Sequence, residues 1–285
     1  MTKLKELLAP GKFLVAPGIF DGISVRIAKQ MGFDALYMTG YGTVASHLGL
    51  PDAGLASYRD MIDRVQLFSS MSDVPLVADG DTGYGGLLNV DHTVKGYERA
   101  GAAGIQLEDQ EFPKKCGHTP NRKVIPIEDA AAKIKVAADA RDSDDFLIVA
   151  RTDARTAHGL DEALRRAEAF AKAGADILFV EAPESVEEME KIGKSFDQPL
   201  LVNVVEGGKT PVLPVEEYQR IGYRMAIYPA AGFLAVGAAL QSVYGHMKQT
   251  GSSIGASAPL ADFMTFSKQM GFQDVWEFER NHAED

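Results

Sequence analysis

Cysteine is nearly absent from this chain: Cys116 is the only one in 285 residues. No internal disulfide can form, which points to a reducing, cytoplasmic setting and leaves one free thiol to explain. Long apolar runs are missing as well; none approaches the roughly 18 residues that a membrane helix needs. The opening stretch, Met1-Thr2-Lys3-Leu4-Lys5-Glu6-Leu7-Leu8, is amphipathic and soon meets Pro10-Gly11, so it is expected not to be a signal peptide. Basic runs are scarce. With 29 basic against 40 acidic residues, the net charge of −11 leaves no cationic stripe, and neither a nucleic-acid nor a membrane partner is expected. A Gly-x-Gly-x-x-Gly turn after an early strand is also lacking; Gly83-Tyr84-Gly85-Gly86 has the wrong spacing. That speaks against an open dinucleotide-binding sheet.

What is present is an ordinary globular balance, 46% hydrophobic and 24% charged, able to bury a core without covalent staples. Short β-branched apolar runs alternate with longer amphipathic stretches. The runs at 13–16, 35–39, 75–79, 104–108, 146–151, 177–181, 199–203 and 225–228 read as eight strands. Helical periodicity fills 22–31, 57–70, 90–100, 127–140, 160–173, 186–196 and 214–221. Gly32, Gly101 and Gly174 each fall just past a helix and just before a strand, where glycine tolerates the left-handed conformation that closes a helix. Repeated strand–helix units imply a parallel sheet, and eight of them favour a closed (β/α)₈ TIM-type barrel over residues 1–250. A helix over 233–250, a Ser/Gly/Ala/Pro linker and one or two further helices are expected beyond β-strand eight. Residues 251–285 then form a helical tail that packs on the barrel or on a neighbouring subunit.

Active sites of such barrels lie at the carboxyl ends of the strands. Polar residues collect there: Thr39-Gly40, Asp79-Gly80-Asp81, Glu108-Asp109, Arg151-Thr152-Asp153, Glu181 and Asn203. Asp79 and Asp81 are two apart, so an extended segment would point both carboxylates the same way. Acid clusters with few other ligands suit Mg²⁺, although Asp-Gly-Asp also serves as a plain turn. His92, soon after, is expected on the surface or at a helix start. Between Pro113 and Lys123, four Lys/Arg residues, Cys116 and His118 crowd into a segment whose prolines and glycine exclude regular structure. It reads either as a solvated basic loop or as a lid that brings charge over an anionic ligand. In the second reading Lys114, Lys115 and His118 activate the thiol.

Lys114-Lys115-Cys116-Gly117-His118 resembles a signature of the isocitrate lyase/phosphoenolpyruvate mutase superfamily, in its lyase branch. The likeness runs over about residues 10–250 and includes Asp79-Gly80-Asp81-Thr82-Gly83-Tyr84-Gly85, Leu107-Glu108-Asp109-Gln110, Ala150-Arg151-Thr152-Asp153-Ala154 and Asn203-Val204-Val205-Glu206-Gly207-Gly208-Lys209-Thr210-Pro211. It implies a barrel with a swapped final helix and a homotetramer built as a dimer of dimers. It implies Asp79 as the principal Mg²⁺ carboxylate, with Asp52, Asp81 and Glu108 acting directly or through water, and Mn²⁺ as an alternative ion. Thr39, Gly40 and Tyr41 would bind the 2-oxo-acid end of a small anionic 2-hydroxy or 2-oxo acid. Arg151 and His118 would bind its oxygens, with Lys115, Gly117, Glu181, Asn203, Thr210 and Pro211 completing the pocket. Cys116 is the family's catalytic acid; Tyr37 or a metal-bound group would take the hydroxyl proton.

The phosphorus–carbon branch of the superfamily lacks Cys-Gly-His, so a carbon–carbon lyase is expected. Leu234 stands where the methylisocitrate-cleaving members align an arginine for a third carboxylate. The Glu206–Pro211 loop resembles the group that includes the alkylmalate lyases and the petal-death proteins. An alkylmalate such as 2,3-dimethylmalate is therefore the expected substrate class. Methylisocitrate cleavage, oxaloacetate hydrolysis, phosphonomutase chemistry and a non-catalytic barrel are the alternatives.

Overall fold

The computed structural model describes residues 3–117, 119 and 121–283. Eight strands, β1 (Leu14–Ile19), β2 (Leu36–Met38), β3 (Leu76–Asp79), β4 (Gly104–Glu108), β5 (Leu147–Thr152), β6 (Ile177–Val180), β7 (Leu200–Asn203) and β8 (Tyr223–Tyr228), close into one parallel barrel in sequence order. All eight expected runs are strands. Their near-continuous burial on both faces explains why they read as apolar runs and not as alternating ones.

Two apolar layers hold the barrel together. One fills its interior, with Ala16, Tyr37, Val77, Val149, Phe179, Leu201 and Ile227 pointing inward. The short N-terminal helix Leu4–Leu7 belongs to this layer, with Leu4 and Leu8 buried beneath the strands. The other layer lies between the strands and the outer helices. Helix starts follow local chemistry: the Ser57 hydroxyl accepts from Asp60 N at 3.3 Å ahead of helix Tyr58–Met71. Gly32, Gly101 and Gly174 all take positive φ, as their spacing predicts.

Inward-facing strand positions repeat every two residues. Continuing from Val77, Val149, Phe179 and Leu201, the next inward positions are Asp79, Arg151, Glu181 and Asn203. This parity delivers four polar side chains to one rim. It is the step from pattern to site.

Besides the short helix Leu4–Leu7, two helices lie outside the expected segments. Helix Gly40–Leu48 follows β2 directly, although glycine is a poor helix former. Packing overrides propensity there, since a Cβ on Gly42 would sit 2.7 Å from Thr39 and 2.9 Å from Phe233. A five-residue helix, Ala154–His158, follows β5. Beyond β8, helix Ala231–Thr250 has none of its 20 residues buried, and helices Phe263–Gln269 and Phe272–His282 have none either. Gln30 Nε2 donates to Gln269 O at 3.2 Å, so the tail touches the first barrel helix. No helix among the described residues is long and apolar enough to cross a membrane.

Candidate active site

A cavity of about 220 Å³ opens at the carboxyl ends of the strands. Tyr37, Thr39, Asp79, Glu108, Arg151 and Asn203 line it from below, while Asp52, Lys114, Lys115, Cys116, Gly117 and Thr119 close over it. Its far wall is apolar: Val205, Ile227, Pro229, Ala230, Phe233 and Leu234. Tyr41, partly exposed, completes the rim.

The described part of the loop after β4 is folded and hydrogen-bonded over the cavity. Gln110 clamps Lys115 at both backbone groups, accepting from its N at 3.0 Å and donating to its O at 2.8 Å. Cys116 N donates to Asp52 O at 3.2 Å, and Thr119 closes the turn on Cys116 O. Gly117 is required by close approach, because a Cβ there would collide with the Arg151 guanidinium and lie 3.0 Å from Glu181 Cδ. Lys114 departs from expectation. It is buried between Asp52 Oδ1 at 2.6 Å and Asp81 Oδ1 at 2.5 Å, so its charge is matched by two acids from other loops. Burial alone would lower its pKa, but Asp81, Asp52, Glu108 and Asp79 outweigh that and hold it well above the lysine range.

Asp81 likewise departs from the extended geometry. The strand stops at Asp79, and Asp81 turns into the left-handed region at φ 49°. Asp79 Oδ1 accepts from Asp81 N at 3.0 Å, closing a tight turn that sends the Asp81 carboxylate toward Lys114 and away from the cavity. Four acids therefore do not form one cage, and no group of three His, Cys, Asp or Glu side chains among the described residues is spaced to hold a metal ion.

A hydrated cation with one or two protein ligands does fit. Asp79 and Glu108 are buried and face the cavity, and Glu108 Oε1 has no hydrogen-bond partner among the described residues. Burial drives the Glu108 carboxyl well above its usual range despite the pull of Arg151 and Lys114. Burial also pushes Asp81 up to about 7, with Asp79 and Asp52 adding to it. The buried Asp79 and Glu108 carboxyls at the cavity wall suit Mg²⁺, which keeps several waters in its octahedron. Gly40 guards this region, since a Cβ would strike the Asp79 carboxylate. Gly40→Ala is expected to lower turnover roughly tenfold to a hundredfold by displacing that group. Steady-state kinetics beside circular dichroism would check it; unchanged turnover in a folded variant counts against the contact.

Arg151 is held by ionic partners on several sides. Its Nε and Nη2 bind Asp153, both at 2.9 Å, Nη1 lies 3.4 Å from Glu108, and Nη2 lies 3.5 Å from Glu181. Asn203 Nδ2 donates to Glu181 Oε2 at 3.1 Å. Tyr37 donates to Gln106 Oε1 at 2.8 Å, and burial, then the Asp79 charge, holds its pKa well above the tyrosine value.

Comparison with known proteins identifies the architecture. The family model described as phosphoenolpyruvate phosphomutase matches residues 4–248. The 2,3-dimethylmalate lyase of Eubacterium barkeri is 44% identical over 282 residues, covering 99% of this chain and 98% of its own. The chain belongs to the phosphoenolpyruvate phosphomutase family. It is an enzyme of the isocitrate lyase/phosphoenolpyruvate mutase superfamily, on the carbon–carbon lyase side. Among solved structures, oxaloacetate acetylhydrolase in complex with 3,3-difluorooxalacetate superposes with a TM-score of 0.93 at 35% identity, covering 99% of this chain and 97% of that one. Phosphonopyruvate hydrolase, solved with oxalate and Mg²⁺, superposes at 0.87 with 26% identity, covering 99% and 98%.

Within this family member the structure sorts the expected site residues. Tyr37, Thr39, Tyr41, Asp52, Asp79, Glu108, Lys115, Cys116, Gly117, Arg151 and Asn203 share the cavity. Gly40, Asp81 and Glu181 lie immediately behind its lining. Thr210 is buried and Pro211 half-buried, and neither lines the cavity. His118 lies outside the described residues. His92 is exposed and packs on the Tyr58 ring at 4.9 Å, well inside helix Leu87–Arg99. Gln106 and Arg122 took no part in the expected site, and Asp109 and Asp153 entered it only as polar strand ends without a role. Asp153 was legible, two residues from Arg151 on the same face; Arg122 carried no local signal.

Proposed function

We propose that the protein is a Mg²⁺-dependent lyase that splits 2,3-dimethylmalate, or a closely related alkylmalate, into pyruvate and a short carboxylate. The observation that carries this reading is the division of the cavity, with an ionic wall and lid thiol facing an apolar wall. An alkylated malate needs both surfaces. A third carboxylate placed against Ile227 and Phe233 would lose its water without gaining a partner, which disfavours methylisocitrate. Leu234 contributes at the rim and not the floor, since it is half-exposed.

Cleavage of the C2–C3 bond removes the C2 hydroxyl proton and leaves a 2-oxo acid and a carbanion beside a carboxylate. Asp79 would hold Mg²⁺, with Glu108 acting on it through water, and the ion would supply Lewis-acid polarisation of the forming 2-oxo acid. Thr39 and the amides that open helix Gly40–Leu48 meet the substrate carboxylate. Glu108, with an oxygen left unpaired, takes the hydroxyl proton. Arg151 stabilises charge that grows as the bond breaks. Cys116 donates its proton to the carbanion, and the folded lid keeps water from competing.

The test is an assay of 2-hydroxy and 2-oxo diacids with Mg²⁺. Pyruvate release from 2,3-dimethylmalate supports the reading. Oxalate and acetate from oxaloacetate as the main reaction would replace it with the hydrolase activity named for the structural neighbour. Inactivity throughout, with no Mg²⁺ binding, would leave a non-catalytic barrel.

The same reading extends to assembly. Leu234, Val236, Leu240, Tyr244 and Met247 stand exposed on helix Ala231–Thr250, and a groove lined by Ile23, Ile27, Met31 and Phe33 lies beside β1. Apolar surface of this extent is ordinarily covered. Exchange of this helix between two chains, and pairing of dimers into a tetramer, would cover both surfaces, with residues 251–285 as the arm that embraces the neighbour. Light scattering is expected to find four chains per particle, and Leu240→Glu with Tyr244→Glu is expected to reduce that number. A monomeric wild-type protein would end the idea. The compartment proposed is cytoplasmic.

A further inference from the structure

Behind the cavity wall lies a second ionic cluster, built on Asp153 just past β5. Its carboxylate accepts from Arg151 Nε and Nη2 on one side and from Arg122 Nη1, at 2.6 Å, on the other. Arg122 Nη2 then donates to Thr156 Oγ1 at 2.6 Å. Below, Asp109 accepts from Asp153 N at 2.9 Å, Thr152 Oγ1 at 2.7 Å and Arg166 Nη1 at 3.0 Å. Apart from half-buried Thr156, these side chains are buried.

A guanidinium is planar, so fixing one edge fixes where the rest points. Pairing of Nε and Nη2 with Asp153 turns Nη1 toward Glu108 and the cavity. The Phe179 ring, 5.2 Å from the guanidinium carbon, limits tilting. We propose that Asp153, steadied by Arg122, is the positioning residue that aims Arg151 at the substrate. This rests on the reading of Arg151 as the cation that stabilises developing charge.

Arg122 adds a second link. It belongs to the descending limb of the lid, whose Ile125 N donates to Asp109 O at 2.9 Å and whose Ile125 O accepts from Arg166 at 2.8 Å. One buried cluster therefore anchors the far end of the lid that carries Cys116 and also orients Arg151. Thiol and guanidinium are referenced to the same frame. Asparagine at 153 keeps the volume but replaces one acceptor with a donor facing N–H groups, so the fork cannot form.

The experiment compares Asp153→Asn, Arg122→Met, Arg122→Lys and Arg151→Met, using the most active substrate of the diacid panel. Turnover per folded molecule, KM and calorimetric binding of oxalate with Mg²⁺ are the readouts. Asp153→Asn is expected to lower kcat about 100-fold with KM within about threefold, and to weaken oxalate binding about tenfold. Arg122→Met is expected to lose about tenfold in kcat, and Arg122→Lys, which keeps the charge on Asp153, to recover most of it. A merely structural role would lower the melting temperature and the active fraction while leaving kcat per folded molecule unchanged. Near-normal kcat in Asp153→Asn and Arg122→Met beside an inactive Arg151→Met overturns the inference. Near-normal kcat in Arg151→Met removes the role of Arg151 itself. Should Asp153→Asn fail to fold, Arg122→Met against Arg122→Lys decides.

Discussion

Cys116→Ser is expected to lower turnover about 10³-fold while substrate affinity stays within a few-fold. Serine keeps the size of the side chain and leaves the Cys116 N to Asp52 O bond intact, so the lid should still fold over the cavity. What it removes is an acidic S–H. Ordinary thiols titrate near 8.5, within reach of a neutral enzyme, whereas an alcohol gives up its proton far less readily. A carbanion left at C3 then waits for solvent that the lid excludes. The measurement pairs the rate of pyruvate release with calorimetric binding of oxalate. Near-normal turnover in the serine variant would take the thiol out of the mechanism.

Asp79→Asn is expected to lower turnover by about 10³-fold and to weaken Mg²⁺ binding severely, and chelation of divalent cations should stop the wild-type reaction reversibly. Asparagine can still accept from Asp81 N through its carbonyl oxygen, so the turn after β3 survives. Only the charge is lost. Tyr97, which donates to Asp79 O at 3.1 Å, continues to hold the backbone. Titration calorimetry with Mg²⁺ separates a metal defect from a folding defect. Unchanged metal affinity would move the ion elsewhere.

The contrast between Asp79 and Asp81 shows how far local pattern reaches. Strand parity placed Asp79 correctly because the strand continues to that residue, and the same parity failed at Asp81 because the chain leaves extended geometry one residue later. Lys114 is a similar case. Its position in a basic run predicted a free cation above an anion, but two buried acids from different loops capture it. Desolvation decides that outcome, and desolvation is a property of the closed barrel. Helix Gly40–Leu48 went unseen because its glycines lower helix propensity while serving contacts with Thr39, Phe233 and Asp79.

Hydrophobic period, glycine placement and the polar residue at each strand end are local properties, and they determined the eight strands, the closed parallel order and the rim on which Asp79, Glu108, Arg151 and Asn203 meet. Tertiary structure alone decided the pairings: Lys114 with Asp52 and Asp81, Arg122 with Asp153 across 31 positions, Tyr37 with Gln106 across 69. Partners so distant along the chain come within hydrogen-bond range only after closure. Charges that closure has removed from water must then find whichever opposite charge lies nearest, and no local pattern records which that will be.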